Sequence, residues 1–120
     1  MSKITLVLGA STSSYRYSHT ATHRLIANGH KVCLVGKGGG EIANNEILDD
    51  WPEDLEIDTI TMYLAPENQL DYYDLILNSG ANRLIFNPGS ENAELERRAK
   101  ERGIDVKEAC TLVMLSTGLY

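Results

Sequence analysis

No stretch of this chain approaches the roughly 18 consecutive apolar residues that a membrane-spanning helix needs. Met1-Ser2-Lys3 leads straight into Ile4-Thr5-Leu6-Val7-Leu8, an apolar run too short and wrongly flanked for a secretory leader. Both absences argue against a membrane and for the cytoplasm. Basic residues are few, with 11 Lys and Arg against 17 Asp and Glu and a net charge of −6. Nucleic acids are held through clusters of Lys and Arg, which are missing here, so a nucleic-acid partner is disfavoured. An anionic small ligand would need a local positive site. Cysteine is scarce as well. Cys33 and Cys110 each lie in an apolar run without Cys-x-x-Cys spacing, and both read as reduced packing residues.

Catalytic signatures are equally thin. There is no Gly-x-Ser-x-Gly elbow, no Walker lysine motif and no convincing cysteine nucleophile, although Cys110 is one thiol near the C-terminus with a route to a ligand. His19 and His23 stand four apart without the intervening Glu of the metalloprotease pattern or a third ligand, and read as solvated or capping. His30 is expected to bond local backbone. The carboxylates between Glu46 and Asp58 have no metal-loop spacing and read as a solvated face. These absences predict a protein that is not an enzyme and holds no metal.

What is present is a regular alternation. Repeats, low-complexity stretches and linkers do not interrupt it, and 120 residues are near the usual size of one domain, so one domain over 1–120 is expected. β-branched runs predict strands near Lys3–Leu8, Lys31–Val35, Thr59–Met62, Arg83–Phe86 and Asp105–Val106. Helical spacing predicts helices near Ser18–Asn28, Glu67–Asn78 and Glu91–Arg102, with Leu70, Tyr73, Leu77, Leu95, Arg98 and Ala99 at helix-compatible intervals. Gly29, Gly80 and Gly103 follow the three helices where a left-handed residue is wanted. Such βαβ units give an α/β fold with a parallel sheet of five strands. Ala109–Leu115 is either a short helix or a sixth, edge strand, and Ile42–Leu55 reads as a long surface connection with one helical turn at most.

In a parallel sheet the ligand site lies at the carboxyl ends of the strands, which directs attention to four loops. The first, Gly9-Ala10-Ser11-Thr12-Ser13-Ser14-Tyr15-Arg16-Tyr17-Ser18, has one glycine where a dinucleotide fingerprint has three. It offers small residues, hydroxyls, the Arg16 cation and a helix start, which suits phosphate or pyrophosphate; the alternative is a solvated loop with Ser18 capping the helix. The second, Gly36-Lys37-Gly38-Gly39-Gly40, has a lysine among glycines in place of the acid that holds an NAD ribose. Lys37 suits the extra ribose phosphate that coenzyme A and NADP both carry. In the third loop Pro66 starts a helix, and Tyr63-Leu64-Ala65 either flanks an adenine or forms a core-edge turn. The fourth, Asn87-Pro88-Gly89-Ser90, is a turn with a cap at Ser90 and an Asn87 amide able to reach a ligand.

Taken in order, Gly9-Ala10-Ser11, Arg16-Tyr17-Ser18, Gly29-His30-x-Val32, Gly36-Lys37-Gly38-Gly39-Gly40-Glu41-Ile42, Ile57-Asp58-Thr59-Ile60 and Asn87-Pro88-Gly89 resemble the small CoA-binding-domain proteins over nearly the whole chain. These are similar to the CoA-binding domain of the succinyl-CoA ligase α subunit, where a comparable glycine-lysine turn follows the second strand. The resemblance implies a Rossmann-like three-layer sandwich. It also implies that Gly9, Ala10, Ser11 and Ser18 lie near the pyrophosphate, Arg16 and Lys37 toward phosphates, and Tyr63 and Pro66 near adenosine or pantetheine. Tyr17, Gly36, Gly38, Asn87 and Gly89 complete the expected set. Ligase activity is not implied, because the ligase's phosphohistidine domain has no counterpart here. The expectation is therefore a non-catalytic module for coenzyme A or acyl-CoA. The alternative is a small NADP-dependent oxidoreductase or reductase subunit. The apolar run Leu112-Val113-Met114-Leu115 is a candidate surface for a homodimer or another protein partner.

Overall fold

The structure is a computed structural model that describes residues 3–120; Met1 and Ser2, part of the argument about a leader, lie outside the described residues. Its sheet is larger than expected. Seven strands run in the order β3-β4-β2-β1-β5-β6-β7: β1 Ile4–Leu8, β2 Lys31–Val35, β3 Glu41–Ile42, β4 Asn45–Leu48, β5 Thr59–Met62, β6 Arg83–Phe86 and β7 Asp105–Glu108. All neighbours pair in parallel except β3 and β4, which form an antiparallel hairpin at one edge. That hairpin takes up the first part of the expected surface connection Ile42–Leu55, and residues 49–55 remain an irregular connection. Its two-residue turn, Ala43-Asn44, has φ of 50° and 68°. Such turns are usually announced by Asn-Gly, and without glycine the hairpin leaves little trace in the sequence.

Four helices flank the sheet: α1 Tyr17–Ala27, α2 Tyr73–Leu77, α3 Ala93–Glu101 and α4 Thr111–Thr117. The segment after β7 is thus a helix and not an edge strand. Gly29, Gly80 and Gly103 have φ of 84°, 76° and 82°, the left-handed geometry expected just after three of these helices. Two core clusters separate the faces. Leu6, Leu8, Ile60, Met62, Leu84 and Phe86 pack with Tyr73, Ile76, Leu95 and Ala99 of α2 and α3. Val7, Leu34 and Ile47 pack with Leu25 of α1, and Leu115 of α4 joins them. The alternation of Leu6 and Leu8 with Val7 is the two-residue period of a strand covered on both sides. On the α1 and α4 face β5 contributes threonines instead, and these form hydroxyl bonds. Thr61 pairs with Thr111 at 2.8 Å. Thr5 of β1 adds another, to the Tyr120 hydroxyl.

Three local expectations are corrected. The predicted helix 67–78 is two 3₁₀ turns, Pro66–Asn68 and Leu70–Tyr72, followed by the short α2. Gln69 explains the break. It is fully buried, and its Nε2 donates to Leu64 O and Ser90 O, both at 2.8 Å. With Gln69 turned inward, Leu70 points out and is 66% exposed. The start of α3 is capped by Asn92, whose Oδ1 accepts from Leu95 N at 3.1 Å, and not by Ser90, which is buried and donates to Asn87 O at 2.7 Å. Ser18 does not cap α1 either: it is buried inside the first turn, and Arg16 holds the cap position. Arg98 lies outward, over the Tyr73 ring at 5.6 Å. No helix among the described residues is long and apolar enough to cross a membrane.

Candidate functional site

The strand order reverses direction between β1 and β5, and the loops that leave these strands at their carboxyl ends meet there. Close approach is built into glycine. Gly9 has φ of +101°, and a Cβ on it would lie 3.2 Å from Leu64 N and from Tyr63 C. A Cβ on Gly36 would collide with the Ala10 carbonyl oxygen, so the loops after β1 and β2 are held against each other backbone to backbone. Gly9 N and Ala10 N both donate to Val35 O, at 2.9 and 3.0 Å. These residues therefore shape the site, while their own N–H groups are already engaged.

Between the loops lies a cleft of about 300 Å³ lined by Gly9, Ala10, Ser11, Ser13, Arg16, Lys37, Leu64, Asn68 and Tyr72. Two cations from different loops reach it and no carboxylate lines it. In a chain of net charge −6 this is a local positive site. The start of α1 adds to it. No side chain caps that end, and Tyr17 N and Ser18 N precede the first helical bonds, which run from His19 N and Thr20 N to Arg16 O. Uncapped N–H groups beside Arg16 and Lys37 suit a phosphate-bearing ligand.

A second hollow, about 250 Å³, lies further along the same edge, with walls of Tyr17, Tyr63, Asn87, Pro88, Cys110 and Leu112. Tyr17 and Tyr63 each adjoin a residue of the first cleft, Arg16 and Leu64. Burial pushes the Tyr63 phenol up to about 12. Its oxygen is buried near Thr61 and Thr111 but outside hydrogen-bonding geometry. Cys33 and Cys110 are both free thiols. Cys33 packs against the core on the α2 and α3 face and its thiol is pushed up by burial, whereas Cys110 is part of the hollow's wall.

The expected site residues divide accordingly. Gly9, Ala10, Ser11, Arg16 and Lys37 come together in the cleft, and Tyr17, Tyr63 and Asn87 in the hollow. Ser18 is buried in α1 and Gly36 beneath Ala10. Gly38, Pro66 and Gly89 are exposed and outside both cavities, the last donating its N–H to Glu91 Oε1 at 2.8 Å. Asn87 is a bolt in the fold. Its amide donates to Thr61 Oγ1 at 2.7 Å and Met62 O at 2.9 Å, and its carbonyl accepts from Thr111 N at 2.8 Å. Both amide protons are thus engaged inside the protein, while Asn87 also lines the hollow. Asn68 and Tyr72 were missed. Both come from the 3₁₀ segment, whose path depends on the remote contact of Gln69 with Ser90.

A more open groove of about 570 Å³ leads to the opposite ends of β5 and β6, but Asp54, Glu56 and Asp74 line it and would repel a phosphate. The His19 and His23 rings lie with centres 4.7 Å apart and planes tilted by 59°. No group of three or more potential metal ligands forms among the described residues.

The chain matches no curated protein in sequence. In structure it is similar to a crystal structure of an uncharacterized protein at 43% identity and a TM-score of 0.96, covering 100% of this chain and 99% of that one. A protein from Thermus thermophilus is similar at 24% identity and a TM-score of 0.87, over 99% of this chain and 91% of its own. A dinucleotide-forming acetyl-coenzyme A synthetase from Ca. Korarchaeum cryptofilum, in complex with phosphate and ADP, shares the fold over 89% of this chain and 25% of its own, at 19% identity and a TM-score of 0.74. The sequence profile of the family described as CoA binding domain matches residues 3–116. With that profile spanning nearly its whole length, the chain belongs to the CoA binding domain family.

Proposed function

We propose that this protein binds coenzyme A, free or acylated, as a non-catalytic cytoplasmic module. The observation that carries the reading is the cleft at the switch point, where Arg16 and Lys37 converge from two loops without an acidic neighbour, in a member of this family. Coenzyme A carries a pyrophosphate and a ribose 3′-phosphate, and two separate cations beside uncapped helix N–H groups match two separate anionic groups. Arg16 and the Ser11 and Ser13 loop take the pyrophosphate, and Lys37 takes the ribose phosphate. Leu64 and Tyr72 supply apolar surface for the adenosine. NADP, which shares the extra phosphate, has no support in the family.

A thermal-shift series with CoA, dephospho-CoA, NADP, NAD and ATP tests the reading. A ligand at a hundred times its dissociation constant stabilises by about 2.7 kcal/mol, a shift of several degrees. CoA is expected to give the largest shift. Lys37→Ala should weaken CoA roughly tenfold, about 1.4 kcal/mol, and leave dephospho-CoA nearly unchanged. Equal loss for both ligands would remove Lys37 from the ribose phosphate, and a shift with NADP alone would replace the reading.

A further inference from the structure

The cleft takes the phosphates and the adenosine of the proposed ligand and leaves the hollow beside it unassigned. The walls of the hollow differ in kind from those of the cleft. Tyr17, Tyr63, Asn87, Pro88, Cys110 and Leu112 form them, and among the described residues no charged side chain does. Their hydrogen-bonding groups are largely spent or turned away. The Asn87 amide protons go to Thr61 Oγ1 and Met62 O, and its carbonyl oxygen accepts from Thr111 N. The Tyr63 hydroxyl lies by Thr61 and Thr111, neither of which lines the hollow, and this leaves the aromatic ring to the wall. A ligand segment rich in amides would lose its water there and find few partners, a cost that a hydrocarbon segment does not carry. Tyr17, which is 76% exposed, and Leu112 present apolar surface for such a segment to cover.

Coenzyme A has its hydrogen-bonding groups in the nucleotide and in the two amides of the pantetheine arm. An acyl group on its sulfur is the one extended hydrocarbon segment. The hollow adjoins the cleft where Arg16 meets Tyr17 and where Leu64 meets Tyr63, so one ligand can occupy both. On this basis, and resting on the CoA reading, we infer that the ligand is an acyl-CoA whose acyl group lies in the hollow. The volume sets the class of acyl group. Counting about 30 Å³ for a water-sized group, 250 Å³ holds roughly eight such groups, which admits a short aliphatic chain and excludes a long one. Each methylene that leaves water there strengthens binding by up to about fourfold. The thioester stays intact, and the hollow supplies selectivity.

Isothermal titration of the full chain with CoA and with acetyl-, butyryl-, octanoyl- and dodecanoyl-CoA tests this. Affinity should rise roughly tenfold from CoA to butyryl-CoA, rise further to octanoyl-CoA, and gain nothing more with dodecanoyl-CoA. Leu112→Trp narrows the hollow, and Leu112→Asp puts a charge on its wall. In whichever of these folds, the ratio of butyryl-CoA affinity to CoA affinity should fall to near one; the wild-type series alone decides if neither does. If CoA binds but butyryl- and octanoyl-CoA bind no tighter, this inference is overturned while the CoA reading stands. The same holds if the gain continues undiminished to dodecanoyl-CoA, or if a folded Leu112 variant keeps the wild-type ratio. If no member of the series binds, both fall.

Discussion

Tyr63 combines an apolar ring, a wall position in the hollow and a buried hydroxyl without a partner. Leaving such a group unpaired costs about 1–3 kcal/mol, so Tyr63→Phe should leave the thermal midpoint unchanged or raise it at neutral pH. At alkaline pH the same residue acts differently. Burial pushes its phenol up to about 12, so the folded chain keeps the proton after the unfolded chain has lost it near 10. The stability linked to that proton is complete below pH 10 and is lost as the pH rises toward 12, by roughly 2–3 kcal/mol. Tyr120, also pushed up by burial, adds in the same direction. Denaturant unfolding from about pH 8 to about pH 12 should therefore show a flatter alkaline decline in Tyr63→Phe than in wild type, and an identical slope would place the proton elsewhere. The cations belong to this scale too. Arg16 and Lys37 were legible as residues because cations are rare near glycine-rich and serine-rich loops in an acidic chain.

At the scale of elements, the decisive contact is between two loops. Gly36 packs on the Ala10 carbonyl with no room for a methyl group, and backbone on both sides leaves nothing flexible to yield. Gly36→Ala should cost about 1–3 kcal/mol of stability and also open the seam that forms the cleft floor, so CoA affinity should fall with the melting temperature. Retained affinity in a folded variant would show that the seam does not shape the site. Strands β2, β5 and β6 matched their expected limits, because a β-branched run bounded by turns is a local signal. The hairpin of β3 and β4 and the 3₁₀ segment did not. One turns on alanine and asparagine at positive φ, and the other is bent by Gln69 bonding to residues on two different loops.

Across the whole molecule, the C-terminus ties down the edge opposite the cleft. The Tyr120 ring packs under the Arg83 guanidinium at 4.4 Å and against His30 at 4.9 Å, its hydroxyl bonds Thr5, and its carbonyl accepts from Arg83 at 2.9 Å. Tyr120→Ala should remove about 2–3 kcal/mol, a fall of roughly 10 °C, while CoA affinity changes less than about twofold because the cleft is remote. A large loss of affinity in the folded variant would mean that the two edges are coupled. The sequence by itself determined the alternation of strand and helix, the left-handed stops at Gly29, Gly80 and Gly103, and hence a mostly parallel α/β sheet. Each rests on periodicity or on the backbone freedom of one residue, which are local properties. Only the tertiary structure decided that Asn68 and Tyr72 join the cleft, that Ser18 is buried, and that the Asn87 amide is engaged within the fold. Those outcomes depend on pairs far apart in the chain, Gln69 with Ser90, Gly36 with Ala10 and Asn87 with Thr111, whose contact energies exist only once the sheet has brought them together.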